Sequence, residues 1–141
     1  MPIYQCYSPQ RLLTKSVKGR IAGEITRIHC ETTGERPSFV NVLFLDLPEG
    51  TSFAAGRPST RSFVMGEIRY GHDVQSRRAL LRDLSQMWTR LTGQSEAELI
   101  VGLKETPAEN ATQAGVIFAE PGHEQQWLDE NRARLTEFGL L

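Results

Sequence analysis

The sequence has 141 residues with 16 basic and 17 acidic side chains, and its formal charge at neutral pH is -1. That length fits one domain, which we predict to span residues 1–141. The balanced charge gives no reason to expect nucleic acid as a partner, and no apolar run is long enough to cross a membrane. No leader segment is recognisable, so we expect a cytoplasmic protein in which Cys6 and Cys30 are reduced thiols.

The first third of the chain has the pattern strand, helix, strand. Ile3–Tyr7 and Phe39–Leu45 are rich in the aromatic and branched residues that favour strands. Between them, apolar residues recur at steps of three and four, which is the spacing of one face of a helix. These residues are Val17, Ile21, Ile25 and Ile28. Thr14 is placed to cap the start of this helix, and Gly34 is placed to end it.

The same pattern returns later in the chain. Arg61–Ile68 and Leu99–Leu103 are predicted strands, and an amphipathic helix is predicted between them. The apolar face of that helix comprises Leu80, Leu81, Leu84, Met87, Trp88 and Leu91. Asp73 is the expected cap at its start. The segment that joins the two patterns, Pro48–Thr60, is rich in Gly, Pro, Ser and Thr and is predicted to be a loop.

An offset of 59 residues aligns the two patterns, so that Gly34 at the end of the first helix meets Gly93 at the end of the second. We therefore predict an α+β fold built from two tandem β-α-β units of the α/β type. Unit one covers about 2–48 and unit two about 61–107. Because a helix separates the two strands of each unit, those strands should be parallel.

The residues after the second unit, about 108–141, form a C-terminal extension. It begins with a polar connector and a short apolar run, Val116–Phe118. An amphipathic pattern then runs from about Glu124 to Phe138 and predicts a final helix.

Pro2 stands at the start of the first strand, where its missing backbone N–H is a disadvantage. If Met1 is removed, Pro2 presents a secondary amine, and apolar surroundings or nearby cations lower the pKa of such a group from its usual value near 8. The amine can then act as a general base near neutral pH and return the proton as its conjugate acid. The alternative is that Pro2 only stiffens the terminus. The 59-residue offset places Arg61 at the matching position of unit two.

Three other residues could assist an amine base by binding a carboxylate or an enolate oxygen. His29 ends the first helix, where the helix dipole favours a protonated imidazole. Arg69 ends the third strand, and its planar guanidinium suits a carboxylate. His72 follows shortly after and could add a second contact. Each residue also has an ordinary structural explanation. His29 would be a buried or capping histidine, Arg69 a solvated arginine, and His72 a residue that only precedes a helix cap.

Metal and cofactor sites have no support in the sequence. The histidines at positions 29, 72 and 123 are scattered and form no cluster with metal-ligand spacing. No glycine-rich phosphate loop or other cofactor motif occurs. We therefore predict neither a metal nor a cofactor.

Several motifs occur together along the chain: the start MPIY, the helix that ends in His29, the helix stop at Gly34, the strand FVMGEIRYG and the tail PGHEQQW. Together they resemble the tautomerase superfamily, and within it the subgroup of cis-3-chloroacrylic acid dehalogenase. The resemblance implies a doubled β-α-β fold, a homotrimer, and a small-molecule carboxylate as substrate. It also implies an amino-terminal proline that acts as base or acid without a cofactor.

The site residues of that subgroup are matched only in part. Pro2 matches the catalytic proline, and His29 matches a histidine that helps to bind the substrate carboxylate. Arg69 matches the first of two carboxylate-binding arginines, whereas the second arginine is replaced by His72.

Two further changes concern the activation of water. Gly102 aligns with a water-activating tyrosine, and Gln113 aligns with a water-activating glutamate. Because adding water to a haloacrylate needs a base for the water proton, efficient dehalogenation is not expected. We predict a cofactor-independent tautomerase that acts on a small 2-oxo or 2-hydroxy-enoic carboxylate, with Gln113 as a further candidate site residue.

Two alternatives stay open at the level of the sequence. One is a hydratase, dehalogenase or decarboxylase that acts on acrylate- or propiolate-type acids. The other is a trimeric ligand-binding protein without catalytic activity, in which a retained Met1 would block the amine.

Overall fold

The computed structural model describes residues 1–141 and confirms the two strand–helix–strand patterns. The strands are β1 (Ile3–Pro9), β2 (Asn41–Leu47), β3 (Phe53–Ala54), β4 (Arg57–Pro58), β5 (Ser62–Arg69), β6 (Leu99–Thr106), β7 (Thr112–Gln113) and β8 (Val116–Ile117). The α-helices are α1 (Lys15–Thr33), α2 (Val74–Thr92), α3 (Glu124–Glu130) and α4 (Arg132–Glu137). None of these helices combines the length and the apolar character that crossing a membrane requires.

Four strands form one mixed sheet in the order β2-β1-β5-β6. As predicted, β1 is parallel to β2 and β5 is parallel to β6. The two units meet in the middle of the sheet, where β1 and β5 pair antiparallel. The predicted tandem β-α-β fold is therefore confirmed.

Both long helices begin and end where the sequence predicted. The side chain of Thr14 accepts a hydrogen bond from the Val17 backbone, and that of Asp73 accepts one from the Ser76 backbone. At the C-terminal ends of the two helices, Gly34 and Gly93 adopt left-handed backbone angles, with φ of 76° and 79°. These caps set the point at which each chain segment leaves its helix.

The main core lies between the two helices and one face of the sheet. Its fully buried members are Tyr4, Cys6, Ile21, Ile25, Val64, Ile68, Leu80, Leu84, Met87 and Trp88. The other face of the sheet, here called the open face, carries exposed apolar side chains. Leu43, Met65 and Ile100 are 50%, 40% and 46% exposed there. An apolar sheet face left in water is typical of an interaction surface.

The repeat also includes two short hairpins that the sequence did not predict. The segment from 48 to 60 was predicted to be a loop, but β3 and β4 pair within it. The strands β7 and β8 pair in the same way, 59 residues further on. Each hairpin turns on an Ala-Gly pair with positive φ at both residues, Ala55-Gly56 and Ala114-Gly115, as a two-residue type I′ turn requires.

The first strands of the two units are related by a slightly different offset. Ile3 pairs with Asn41, and Phe63 pairs with Ile100. The second residues of these pairs are 59 positions apart, but the first residues are 60 apart. The loop between β5 and α2 is one residue shorter than the loop between β1 and α1, which absorbs the difference.

This shift changes the counterpart of Pro2. A uniform offset predicted the exposed Arg61, whereas the strand register assigns Ser62, and that prediction was wrong. Both Pro2 and Ser62 are buried. In unit two the chain simply continues through this point, so only unit one has a chain terminus there.

The C-terminal extension packs beside the start of the chain. Its predicted helix divides at Asn131 into α3 and α4. A second apolar cluster forms here from Phe39, Ala108, Phe118 and Leu135, with Met1, Trp127 and Leu128 packed against it. Trp127 anchors the extension, because its Nε1 donates a 2.6 Å hydrogen bond to the carbonyl of Ile117.

Candidate functional site

The chain begins inside the protein. Pro2 is buried just ahead of β1, and its carbonyl accepts a 3.0 Å hydrogen bond from the Asn41 backbone. The amino nitrogen of Met1 lies 3.9 Å from Glu35 Oε2, and the Met1 side chain packs against the second apolar cluster. The position of the terminus is therefore well defined, which a site built around a terminal amine requires.

Glu35 is the residue on which the predicted site residues converge. It follows the left-handed turn that ends α1, and its carboxylate lies 3.3 Å from His29 Nε2 and 3.4 Å from Arg69 Nε. Burial raises the pKa of the Glu35 carboxyl. The hydrogen bond with His29 and the charges of the terminus, His29 and Arg69 outweigh burial and lower this pKa to about 2. Glu35 is thus an anion at neutral pH.

His29 is fully buried, and both of its ring nitrogens have partners. The hydroxyl of Tyr4 lies 2.8 Å from Nδ1, and Glu35 lies 3.3 Å from Nε2. A carboxylate can only accept, so Nε2 carries a hydrogen. The Tyr4 hydroxyl then donates to Nδ1 of the neutral ring or accepts from the imidazolium. Burial raises the pKa of Tyr4, so its hydroxyl keeps its proton.

Three groups lie around the Arg69 guanidinium, although its buried Nε makes no hydrogen bond. Nε is ion-paired with Glu35 at 3.4 Å, and Nη1 donates a 3.2 Å hydrogen bond to the carbonyl of Ala119. Nη2 lies 3.1 Å from Glu124, whose side chain is 45% exposed. A ligand carboxylate that approaches Arg69 from solvent would therefore exchange places with Glu124 first.

The remaining predicted residues lie further from this centre. His72 is partly buried, with its ring 6.4 Å from the ring of His29 and with no hydrogen-bond partner at Nε2. Burial lowers the pKa of His72, which favours its neutral form. Gly102 lies on the open face, paired with Met65, and Gln113 lies on β7. Of the predicted site residues, only Arg69 lines the cavity described next; Pro2, His29, His72 and Gln113 do not.

A cavity of about 200 Å³ opens beside the amino terminus. Its lining includes Met1, Glu35 and Arg69 at a polar end, and Phe39, Phe118, Trp127 and Leu128 along an apolar wall. The ring centre of Trp127 lies 6.2 Å from that of Phe39 and 6.0 Å from that of Phe118. Arg36 also lines the cavity, is exposed, and pairs with no carboxylate of the chain.

The amine of Met1 is strongly affected by this setting. Burial lowers its pKa, the Glu35 carboxylate raises it, and Arg69 lowers it again, with a net value of about 6. At neutral pH the amine is therefore largely unprotonated, which is the form that can accept a proton. No group of three or more His, Cys, Asp or Glu side chains is placed to hold a metal ion.

The sequence matches a family model described as "Putative oxalocrotonate tautomerase enzyme" over residues 1–132. The chain belongs to the tautomerase superfamily. A search of curated proteins gave no match.

Solved structures of similar fold agree with this assignment. Native Ps01740 is 32% identical with a TM-score of 0.77, and the match covers 79% of this chain and 99% of that one. N1, a member of the cis-3-chloroacrylic acid dehalogenase family, is 25% identical with a TM-score of 0.90, and the match covers 99% of both chains. F6 fused 4-OT, described as a wild-type asymmetric trimer, is 17% identical with a TM-score of 0.77. The match covers 82% of this chain and 94% of that one and shows the fold alone. The predicted resemblance to the superfamily and to this subgroup is confirmed.

In this superfamily member, sequence reasoning identified His29, Arg69 and the terminus but missed the residue that joins them. Glu35 is a lone acid after a helix end, which is normally a solvated position. Arg36 and the aromatic wall were missed because their members come from separate segments of the chain. The only available signal was that Phe118 and Trp127 flank the Pro121-Gly122 turn.

Proposed function

We propose that this protein is a cofactor-independent tautomerase of small 2-oxo or 2-hydroxy-enoic carboxylates. Pro2, exposed by the removal of Met1, would be its general base and acid. The observation that carries this proposal is the buried terminus at the polar end of an apolar-walled cavity, 3.9 Å from Glu35. Burial favours the neutral amine, and the neutral amine is the form that acts as a base near pH 7.

The reaction needs one group that moves one proton. The neutral Pro2 amine accepts the proton of the enol hydroxyl, and the C–O bond becomes a carbonyl while the adjacent carbon–carbon double bond becomes a single bond. The ammonium then donates the same proton to the carbon at position three of the substrate. Base and acid are restored to their starting states, so no cofactor or water is consumed.

Two arginines are proposed to hold the substrate carboxylate. Arg69 offers Nη2 once Glu124 yields its place, and Arg36 offers a free guanidinium on the cavity wall. His29 has both ring nitrogens engaged within the protein, so we assign it to the support of Glu35. His72, with an unpartnered Nε2, is a weaker candidate for a substrate contact.

The apolar wall favours one substrate type over another. Phe39, Phe118 and Trp127 can pack against an aromatic ring, as in an arylenolpyruvate. If both arginines hold the first carboxylate, a second carboxylate, as in 2-hydroxymuconate, would lie against this wall without a cationic partner, which is costly. Phenylenolpyruvate is therefore the first substrate to test.

Hydration and dehalogenation are less well supported. They require a base for the water proton, and Gln113 cannot supply one. Glu35 is a carboxylate on the cavity wall, but its pKa of about 2 makes it a weak proton acceptor. Tautomerisation does not depend on either residue as a base.

We further propose a homotrimer located in the cytoplasm. The trimer is supported by the exposed apolar side chains of the open face and by the trimeric fused 4-OT of similar fold. Both cysteines are free thiols, in keeping with a reducing compartment.

Replacing Pro2 by alanine tests the chemistry. The variant keeps a buried terminal amine but changes a secondary amine into a primary one, so we expect the ketonisation rate to fall by about 10²-fold or more, in the range of general-base effects. The measurement is the ultraviolet change of phenylenolpyruvate, with wild type and Pro2→Ala compared at the same pH.

Intact mass spectrometry of both proteins, made without a tag, provides the control. It establishes that Met1 has been removed before rates are compared. Equal rates for the two processed proteins would contradict the proline mechanism. Retention of Met1 in native material, together with ligand binding and no turnover, would instead support the non-catalytic alternative.

A further inference from the structure

The Glu35 carboxylate is a nearly buried anion surrounded by cationic and titratable groups. It lies beside three groups at the candidate site: the Met1 amine at 3.9 Å, His29 Nε2 at 3.3 Å and Arg69 Nε at 3.4 Å. The Glu35 side chain is only 12% exposed. Burying a carboxylate at this position costs desolvation free energy. If the fold itself needed the charge, the equivalent position of unit two should also carry an acid.

Unit two provides an internal comparison. The counterparts of His29 and Glu35, each 59 residues further on, are Trp88 and Gln94. Trp88 Nε1 donates a 2.9 Å hydrogen bond to Gln94 Oε1, and Gln94 Nε2 donates one of 3.1 Å to the carbonyl of Thr60. A neutral amide therefore serves the fold at this position. The negative charge is found only in the unit that also has the terminus.

The geometry extends to the processed protein. Backbone nitrogens of successive residues are about 3–4 Å apart, so the Pro2 amine lies within about 8 Å of the Glu35 carboxylate. Two charges at this distance in a partly buried site still interact appreciably. The carboxylate and the amine are therefore expected to remain coupled after Met1 is removed.

We propose that Glu35 is a positioning residue for the terminal amine: its carboxylate fixes His29 and Arg69 around the amine and sets the pH range over which the amine acts as a base. This rests on the proposed tautomerase function, which gives that pH range its meaning. The coupling between Glu35 and the amine, however, can be measured without turnover.

The charged and titratable groups around the amine come from every neighbouring element. They are Tyr4 of β1, His29 of α1, Glu35 and Arg36 after α1, Arg69 of β5, His72 before α2 and Glu124 of α3. In the unprocessed chain, burial lowers the pKa of the Met1 amine, Glu35 raises it and Arg69 lowers it, and we expect the same directions for the Pro2 amine one residue further on. Removing the Glu35 charge should therefore lower the pKa of the amine, and the acid limb of kcat/KM should move to lower pH.

The test is a titration of the amine in processed wild-type protein and in Glu35→Gln. Protein labelled with [15N]proline is followed by the 15N chemical shift of Pro2 as the pH is varied. We expect the midpoint to fall by about one pH unit in Glu35→Gln, from the interaction of two charges at this distance. The acid limb of kcat/KM should move by the same amount. Gln94 indicates that the amide will be accepted, and circular dichroism checks the fold.

Two variants make the result specific. Glu124→Gln removes the other carboxylate on Arg69 from a more exposed position and should leave the amine midpoint unchanged. Glu35→Asp keeps the charge and should restore most of the wild-type midpoint. An unchanged midpoint in Glu35→Gln, or an equal shift in Glu124→Gln, would overturn the proposal. A shifted midpoint in proteins that do not ketonise phenylenolpyruvate would contradict the tautomerase function and leave the Glu35–amine coupling intact.

Discussion

Gly66 lies directly beneath the ring of Tyr4, whose hydroxyl contacts His29. A Cβ atom at position 66 would be 2.6 Å from Tyr4 Cε1 and 2.8 Å from Leu103 Cδ2. Both neighbours are packed in the core and have little room to move. We expect Gly66→Ala to lower the free energy of unfolding by about 1–3 kcal/mol, as overpacking does, with urea denaturation as the measurement.

Gly102 offers a matched control on the neighbouring strand. A Cβ atom there would meet Met65 Cε at 2.7 Å, but this methyl group ends a flexible, 40% exposed side chain that can turn away. Gly102→Ala should change the free energy of unfolding by less than about 0.5 kcal/mol. A Gly66→Ala protein as stable as Gly102→Ala would show that Tyr4 is not tightly held.

The residues of the candidate site were predictable to different degrees. A terminal proline, or an arginine at a strand end, can be recognised from its type and position alone. The role of Glu35 depends on the three groups that the fold brings to it, and no local pattern marks such a residue. Glu35, rather than an expected histidine or arginine, is therefore the centre of the structure's polar site.

The secondary-structure elements were predictable where a periodic pattern extends over many residues. Both long helices have apolar residues at helical spacing and capping residues at both ends, so their predicted positions were correct. The hairpins, with strands of two residues each, are too short for any period to show. Their turns require positive φ at an alanine, a residue that does not suggest such a turn.

Trp127 of α3 connects the C-terminal extension to the cavity. Its ring packs beside Phe39 and Phe118, and its Nε1 hydrogen-bonds the Ile117 carbonyl. We expect Trp127→Ala to lower the free energy of unfolding by about 2 kcal/mol, less than for a fully buried tryptophan. KM for phenylenolpyruvate should rise about tenfold because the aromatic wall loses its largest ring, as steady-state kinetics would measure.

Trp127→Phe separates the ring from the hydrogen bond. It keeps an aromatic surface and removes only Nε1, so KM should stay within about threefold of wild type, since it loses one neutral hydrogen bond. If the alanine variant binds phenylenolpyruvate as well as the phenylalanine variant does, the apolar wall is not where the aromatic ring lies.

The whole molecule is a duplicated scaffold that differs at one decisive point. Unit one begins at a chain terminus beside the His29–Glu35 pair, whereas unit two continues through buried Ser62. In unit two, the neutral Trp88–Gln94 pair takes the place of the His29–Glu35 pair. Two similar units therefore provide one candidate site per chain, and the second unit supplies Arg69, which pairs with Glu35 of the first.

The open face allows the proposed homotrimer to be tested. Met65 lies near the middle of the sheet and is 40% exposed, so a second copy that covers this face would bury it. Met65→Glu would place an unpaired charge in that interface, and we expect it to dissociate the assembly to monomers at micromolar concentration, as measured by analytical ultracentrifugation. Val74→Glu is the control, because Val74 is 45% exposed but lies in the first turn of α2, where an acid is favourable. If Met65→Glu and Val74→Glu both keep the wild-type assembly, the contact between copies does not lie on the open face.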